Sequence, residues 1–124
     1  MNFPNGFKEK YQHLLGEDAA DFFATFDQEA VAAFRTNPLK EGQKSFDDPI
    51  PNTPWGHYGK VSGKSIEHAT GLVYSQEPAA QIVAQVAHPQ PGMKVLDLAA
   101  APGGKTTQLL SYMDNQGLLV SNEI

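Results

Sequence analysis

The sequence predicts an α/β protein that contains a parallel strand-helix-strand unit. Two observations support this fold class. The stretch "KVLDLAAAPGGKTTQLL", residues 94–110, contains a short apolar strand, a loop of small residues and the start of a helix. A second apolar stretch, "LLVSNEI" at 118–124, follows that helix. Because consecutive parallel strands need a crossover helix between them, the two strands are expected to pair in parallel through a right-handed connection.

Residues 1–45 are predicted to form a small α+β segment. A first helix is expected over Pro4–Leu15, because apolar residues recur there at helical spacing. These residues are Phe7, Tyr11, Leu14 and Leu15. A second helix is expected after Asp18, with phenylalanines along its apolar side. A short strand then ends near Arg35, where an Asn-Pro pair interrupts it.

The middle of the chain is predicted to be a connector followed by short β-prone pieces. Residues 38–54 are rich in proline and polar residues, so we place a domain boundary near residues 40–53 and assign 46–124 to the second domain. Four glycines over residues 56–76 favour a hairpin or an extended arm.

A third helix is expected from the Ser75–Pro78 region to just before Pro89, because proline is favoured in a first helical turn and beyond a helix end. Its predicted buried stripe consists of Ala79, Ile82, Val83 and Val86.

In the predicted parallel unit, Asp97 ends the first strand and the helix begins near Gly104. The inward side of this helix is predicted to carry Leu109, Leu110 and Met113. A strand pair is marginally stable without further partners. We therefore expect the apolar faces of the two strands to be incompletely covered.

Composition excludes several classes of function. The 124 residues carry a net charge of −5 and no cysteine. A free-standing RNA-binding module is usually basic, and disulfides, cysteine zinc sites and cysteine nucleophiles need cysteine. The four histidines lie too far apart for a local metal motif, so no metal is expected. No apolar run approaches the roughly 20 residues that span a membrane. No signal-peptide pattern is present, and a cytoplasmic protein is therefore expected.

The small-residue loop has three competing interpretations. A phosphate-binding P-loop fits the Gly104-Lys105-Thr106 ending, but Ala99 replaces its leading glycine and Pro102 lacks a backbone N–H. A dinucleotide fingerprint is absent, since only two adjacent glycines occur.

The third interpretation is a loop for S-adenosylmethionine (SAM). Asp97 supplies an acidic residue at the end of the first strand, and small residues let the backbone approach a ligand. Glu123 lies about 20 residues after Gly103, the spacing at which an acidic residue meets a ribose in nucleotide-binding βαβ units. The pattern favours a nucleoside ligand and leaves both SAM and a nucleotide open.

Several stretches together resemble one enzyme family. "DLAAAPGGKT" resembles the Asp-x-Cys-Ala-Ala-Pro-Gly-Gly-Lys-Thr motif of the Sun/Fmu-type RNA cytosine-5 methyltransferases. "FRTNPLK", "TPWGHYGK" and "GLVYSQEPAAQ" resemble further motifs of that family, in the same order. The arrangement is most similar to the RsmF-like branch, which acts on small-subunit ribosomal RNA.

This resemblance implies the start of a Rossmann-like class I SAM-dependent methyltransferase domain, preceded by the small α+β segment. It also implies methylation of cytosine carbon 5 in ribosomal RNA. The residues expected to contact SAM are Ala99, Ala100, Ala101, Pro102, Gly103, Gly104, Lys105 and Glu123. Arg35 and Lys40 are expected to touch RNA phosphates.

The family's two cysteines and its catalytic aspartate lie on later strands. The resemblance therefore implies no catalytic residue among these 124, and the chain is expected to be an N-terminal part that stops after the second strand. Ala99 departs from the cysteine that the family usually has in the loop. The alternatives are a degenerate P-loop nucleotide-binding protein and a truncated, non-catalytic binding product.

Overall fold

The computed structural model describes residues 2–40, 42 and 44–124. The chain forms two compact units that meet in sequence between Ala30 and Val31.

The first unit consists of two helices and two short 3₁₀ turns. Helix α1 spans Phe7–Leu15 and helix α2 spans Ala19–Ala24. The 3₁₀ turns follow them at Gly16–Asp18 and Thr25–Asp27. Both predicted helices are confirmed. Asp18 is at the N-cap position of α2 as expected, but its side chain makes no capping hydrogen bond.

Aromatic side chains hold the first unit together. Phe3 packs on Phe26 with ring centroids 5.0 Å apart, and Tyr11 stacks on Phe22 at 5.1 Å. Such ring pairs each contribute about 0.5–1.5 kcal/mol beyond the area that they bury. Of the predicted apolar face of α1, Phe7, Tyr11 and Leu15 are half-buried, whereas Leu14 is 62% exposed.

The second unit begins with a three-stranded antiparallel sheet. Strand β1, Ala33–Thr36, lies between β2, Gly56–Tyr58, and β3, Val73–Ser75. A short helix α3, Ile66–Ala69, lies between β2 and β3 in sequence. The hairpin predicted over residues 56–76 is wrong, because β2 and β3 each pair with β1 and not with each other.

The compact units divide the chain at a different point from the predicted boundary at residues 45 and 46. Strand β1, assigned above to the N-terminal segment, is the central strand of the second unit. Phe34 also packs on Phe46, with ring centroids 5.1 Å apart. A proline-rich stretch indicates irregular backbone, and irregular backbone can still pack tightly against a neighbouring sheet.

The parallel unit has the predicted order. Helix α4, Pro78–Ala87, precedes strand β4, Lys94–Asp97; helix α5, Gly104–Tyr112, then leads to strand β5, Leu118–Ser121. Strands β4 and β5 pair in parallel, as expected. Within the described part of the chain, no helix has the length and apolar character needed to cross a membrane.

Helix α4 buries the face opposite to the predicted one. Ile82 and Val83 are half exposed and Val86 is 78% exposed, whereas Gln81 and Ala84 are fully buried. The buried side chains on this face make hydrogen bonds: Gln81 Nε2 donates to the Gln76 backbone carbonyl at 2.9 Å, and Gln108 Nε2 of α5 donates to the Gln81 backbone carbonyl at 2.8 Å. Because buried amides are stable when they are hydrogen-bonded, periodicity alone did not show which stripe would be buried.

The strand pair is incompletely covered, as expected. Leu96, Leu98, Leu118 and Val120 are all at least about half exposed. Val95 and Leu119 are half-buried. Of the predicted inward side chains of α5, Leu109 and Met113 are buried and Leu110 is half-buried.

The turn into β5 provides a test of this fold. Gly117 has φ 110°, and a Cβ there would lie 2.3 Å from the Met93 carbonyl oxygen. Gly117→Ala should lower the free energy of unfolding by about 2–5 kcal/mol, from left-handed strain and overpacking together.

Gly92→Ala is the matched control, because Gly92 also has positive φ, at 88°, but a Cβ there would meet nothing within 4 Å. Gly92→Ala should lower the free energy of unfolding by about 1–2 kcal/mol. Urea unfolding of both variants measures the difference, and equal losses would contradict the close contact at Gly117.

Candidate cofactor-binding loop

The loop between β4 and α5 is held by its own backbone and by the chain that follows β5. The Gly103 N–H donates to the Ala100 carbonyl at 2.7 Å, and the Ala100 N–H donates to the Asn122 carbonyl at 3.0 Å. Gly103 has φ 104°, a conformation that favours glycine. Small residues thus let the loop turn sharply at the carboxyl end of the parallel strand pair.

Asp97 connects the two ends of the loop. Its Oδ2 accepts a hydrogen bond from the Thr106 hydroxyl at 2.6 Å, and its Oδ1 lies 3.4 Å from the Ala99 N–H, which donates to it. The sequence predicted an acidic residue here but not its partner Thr106. The carboxylate therefore stabilises the loop against the first turn of α5.

Glu123 lies two residues beyond β5 and reaches the loop. Its Oε2 accepts a hydrogen bond from the Ala101 N–H at 2.7 Å, and its Oε1 accepts one from the Ile124 N–H at 3.2 Å. Each carboxylate oxygen can accept a second hydrogen bond. Glu123 thus places negative charge and acceptor capacity directly at the loop.

The amino terminus of α5 opens onto the same loop. Gly103 is its N-cap, and no side chain caps the helix. The first N–H groups of a helix have no intrahelical partner and carry partial positive charge, which suits an anionic group. Lys105, in this first turn, is exposed.

A cavity of about 180 Å³ lies beside the loop. Its lining includes Tyr74, Gln76, Glu77, Ala101, Gly104 and Lys105. Glu123 is not among the residues that line this cavity, and its contact with the predicted loop residues 99–105 is the hydrogen bond from the Ala101 N–H. Within the described residues, no group of three or more His, Asp or Glu side chains is placed to hold a metal ion.

Sequence reasoning missed the support beneath the loop, which comes from β1. Arg35 is only 2% exposed. Its Nε donates to Gln76 Oε1 at 2.8 Å, and its Nη2 donates to the Gly104 carbonyl at 3.1 Å and to the Thr107 hydroxyl. Arg35 is therefore buried beneath the loop, and its expected contact with RNA phosphates stays a prediction.

Tyr74 adds a second contact from the sheet to the loop. Its hydroxyl donates to the Pro102 carbonyl at 2.9 Å, and its ring centroid lies 5.3 Å from Arg35 Cζ. Burial lowers the pKa of Arg35 to about 10, so the guanidinium remains charged at neutral pH. An arginine inside an otherwise apolar strand segment was the sequence signal for this buried role.

Comparison with known proteins places the chain in a family. Residues 3–78 match the family described as the N-terminal domain of 16S rRNA methyltransferase RsmF, and residues 84–124 match the family of 16S rRNA methyltransferase RsmB/F. The chain belongs to this methyltransferase family, as the sequence resemblance predicted.

Individual relatives agree with this assignment. The chain is 35% identical to a tRNA (cytosine(49)-C(5))-methyltransferase of Pyrococcus abyssi, over 93% of this chain and 41% of that protein. It is also 35% identical to the ribosomal RNA small subunit methyltransferase F of Shewanella piezotolerans, over 99% of this chain and 30% of that protein. The chain thus spans less than half the length of these relatives.

A solved structure shares the fold. A methyltransferase homolog protein from Pyrococcus horikoshii superposes with a TM-score of 0.75 at 30% identity. The match covers 97% of this chain and 44% of that structure.

The support beneath the loop can be tested by Arg35→Gln. This change removes the charged donor from the Gly104 carbonyl and from Thr107, and it should lower the free energy of unfolding by about 2–4 kcal/mol. It should also speed amide hydrogen exchange in the first turn of α5. Urea unfolding and exchange measured by NMR check both effects.

Lys64→Gln is the matched control, since Lys64 is an exposed cation in the same unit. It should change stability by less than about 0.5 kcal/mol. If both variants lose equal stability and α5 keeps its protection, Arg35 does not support the loop.

Proposed function

We propose that this chain is the N-terminal region of a SAM-dependent RNA cytosine-C5 methyltransferase and forms the cofactor loop of a Rossmann-like class I domain. The observation that carries the proposal is the 2.7 Å hydrogen bond between the Glu123 carboxylate and the Ala101 N–H. It places an acidic residue from the end of the second parallel strand against the loop that follows the first.

Each part of the loop has a role in this proposal. The ribose hydroxyls of SAM donate to Glu123, and the carboxylate of SAM lies near the uncapped amino terminus of α5. The alanines and glycines of residues 99–104 let the backbone approach the cofactor. Asp97 keeps the loop closed onto α5 through Thr106.

The same geometry disfavours a P-loop. A P-loop presents backbone N–H groups to phosphate oxygens, but the Ala101 N–H donates to a carboxylate and Pro102 has no N–H. A triphosphate would also be repelled by the negative charge of Glu123. Ribose hydroxyls are neutral donors and fit this acceptor.

For the substrate, we propose cytosine in ribosomal RNA. This rests on the family match and on the RsmF relatives, and the tRNA-acting relative makes tRNA the alternative. Carbon 5 of cytosine is a poor nucleophile, so a thiolate adds to carbon 6 and makes carbon 5 reactive toward the SAM methyl group. A base then removes the carbon-5 proton and the thiolate leaves. Since these 124 residues contain no cysteine, we assign them the cofactor part of the site only.

Calorimetry with SAM, S-adenosylhomocysteine and Mg-ATP tests the cofactor assignment. Glu123→Ala should weaken SAM binding by about one to two orders of magnitude, because a hydrogen bond to a charged group contributes about 1.5–3 kcal/mol. Lys105→Ala should have a much smaller effect, since SAM carries no triphosphate. Glu17→Ala, which removes an exposed carboxylate elsewhere in the chain, is the control and should leave binding unchanged.

The opposite pattern would overturn the assignment. Tight Mg-ATP binding that depends on Lys105, together with no response to SAM, would identify the loop as a nucleotide site.

A second measurement tests the assignment of the chemistry. Incubated with labelled SAM and unmodified 16S ribosomal RNA, the 124-residue chain alone should transfer no methyl group, because it has no thiolate. The Shewanella piezotolerans relative, assayed with the same RNA, is the positive control. Label on cytosine carbon 5 above a no-protein blank would contradict the thiolate requirement.

A further inference from the structure

A second cavity, of about 230 Å³, lies beside Arg35, and polar side chains and apolar surface both line it. The residues that line it include Arg35, Asn37, His68, Gly71, Tyr74 and Thr107. None of its described lining residues is acidic. We call this cavity the Arg35 pocket.

Arg35 brings an unneutralised charge to this pocket. Of its five N–H donors, the one on Nε and the two on Nη2 are used by Gln76, Gly104 and Thr107. All three acceptors are neutral, and Nη1 donates to no residue in the described part of the chain. A buried charge that lacks an ionic partner is costly, and an anion at Nη1 would offset part of that cost.

Further donors lie at the rim of the pocket. Lys40 Cε lies 3.8 Å from the position that a Cβ on Gly71 would occupy, so the lysine stem runs past this lining residue. His68 packs near Tyr74, with ring centroids 6.2 Å apart. The neighbouring Glu67 carboxylate pairs with Lys44 at 3.5 Å and does not line the pocket.

We propose that the Arg35 pocket binds one backbone phosphate of the RNA substrate. That the phosphate belongs to RNA rests on the proposed function. A tetrahedral oxyanion can accept from several converging donors at once, here Arg35 Nη1, the Lys40 ammonium and the His68 imidazole. The pocket shares Arg35 and Thr107 with the support of the cofactor loop. A phosphate bound there lies beside Thr107 in the first turns of α5.

The first experiment uses inorganic phosphate as the probe and ¹⁵N NMR of the chain as the readout. Phosphate added at constant ionic strength against chloride should shift the Arg35 Nε–H signal and the Gly71 and Thr107 amides in a saturable way. Lys40→Ala should weaken the apparent affinity about three- to tenfold, as loss of one phosphate contact implies. Lys64→Ala, which removes an exposed cation outside the pocket, should change nothing.

The second experiment asks whether the phosphate comes from RNA. A short single-stranded cytidine oligonucleotide with phosphodiester linkages should produce shifts at the same three signals and compete with inorganic phosphate. The same oligonucleotide with uncharged methylphosphonate linkages should not.

Two outcomes overturn the proposal. One is the absence of saturable shifts at the Arg35 pocket, or equal effects of Lys40→Ala and Lys64→Ala. The other is binding of inorganic phosphate without competition by the phosphodiester RNA. SAM calorimetry on the same samples separates the two claims, because lost SAM binding with intact pocket signals counts against the proposed function alone.

Discussion

The hydrogen bonds that Arg35 donates connect the antiparallel sheet to the parallel unit. The Arg35 side chain extends from strand β1 to the first turn of α5, where Nη2 donates to the Gly104 carbonyl. Its Nε donates to Gln76 Oε1. The Tyr74 ring packs against the Arg35 guanidinium, and the Tyr74 hydroxyl donates to the Pro102 carbonyl. A Cβ on Gly104 would lie 3.3 Å from Tyr74, so the loop packs on the sheet with little free space. The conformation of the candidate cofactor site therefore depends on Arg35, which lies 69 positions before Gly104, and on Tyr74, which lies 28 positions before Pro102.

A polar interface between α4 and α5 is the second constraint. Gln81 Nε2 donates to the Gln76 carbonyl at 2.9 Å, and Gln108 in turn donates to the Gln81 carbonyl. Gln81 also explains why residue 56 is a glycine, because a Cβ at that position would lie 2.5 Å from Gln81 Oε1. The two hydrogen bonds use only the Nε2 donors, because the buried Gln81 Oε1 and Gln108 Oε1 accept no hydrogen bond in the described part of the chain. This arrangement leaves the apolar stripe of α4 facing outward.

Four helices and the parallel unit could be predicted because their signals are local, whereas the short helix α3 lies in a stretch predicted to be a hairpin or an extended arm. Periodicity located α1, α2, α4 and α5. The spacing from the small-residue loop to Glu123 predicted that the loop and Glu123 lie at one site. The strand order β2-β1-β3 could not be predicted, since pairing between distant short strands leaves no local pattern. The buried face of α4 was predicted wrongly because glutamines, usually exposed, meet partners there. The role of Arg35 and the Asp97–Thr106 hydrogen bond likewise could not be predicted, because both depend on tertiary contacts.

The long sequence separation of these contacts has a kinetic consequence. Arg35 and Gly104 are 69 residues apart, and β1 lies between two strands that both follow it in the chain. Closing a loop of that length costs conformational entropy before any contact compensates, and non-local pairing slows folding. During synthesis, β1 emerges before β2, β3 and α5 exist. The contacts of Arg35 with Gly104 and Thr107 can therefore form only after α5 has been synthesised.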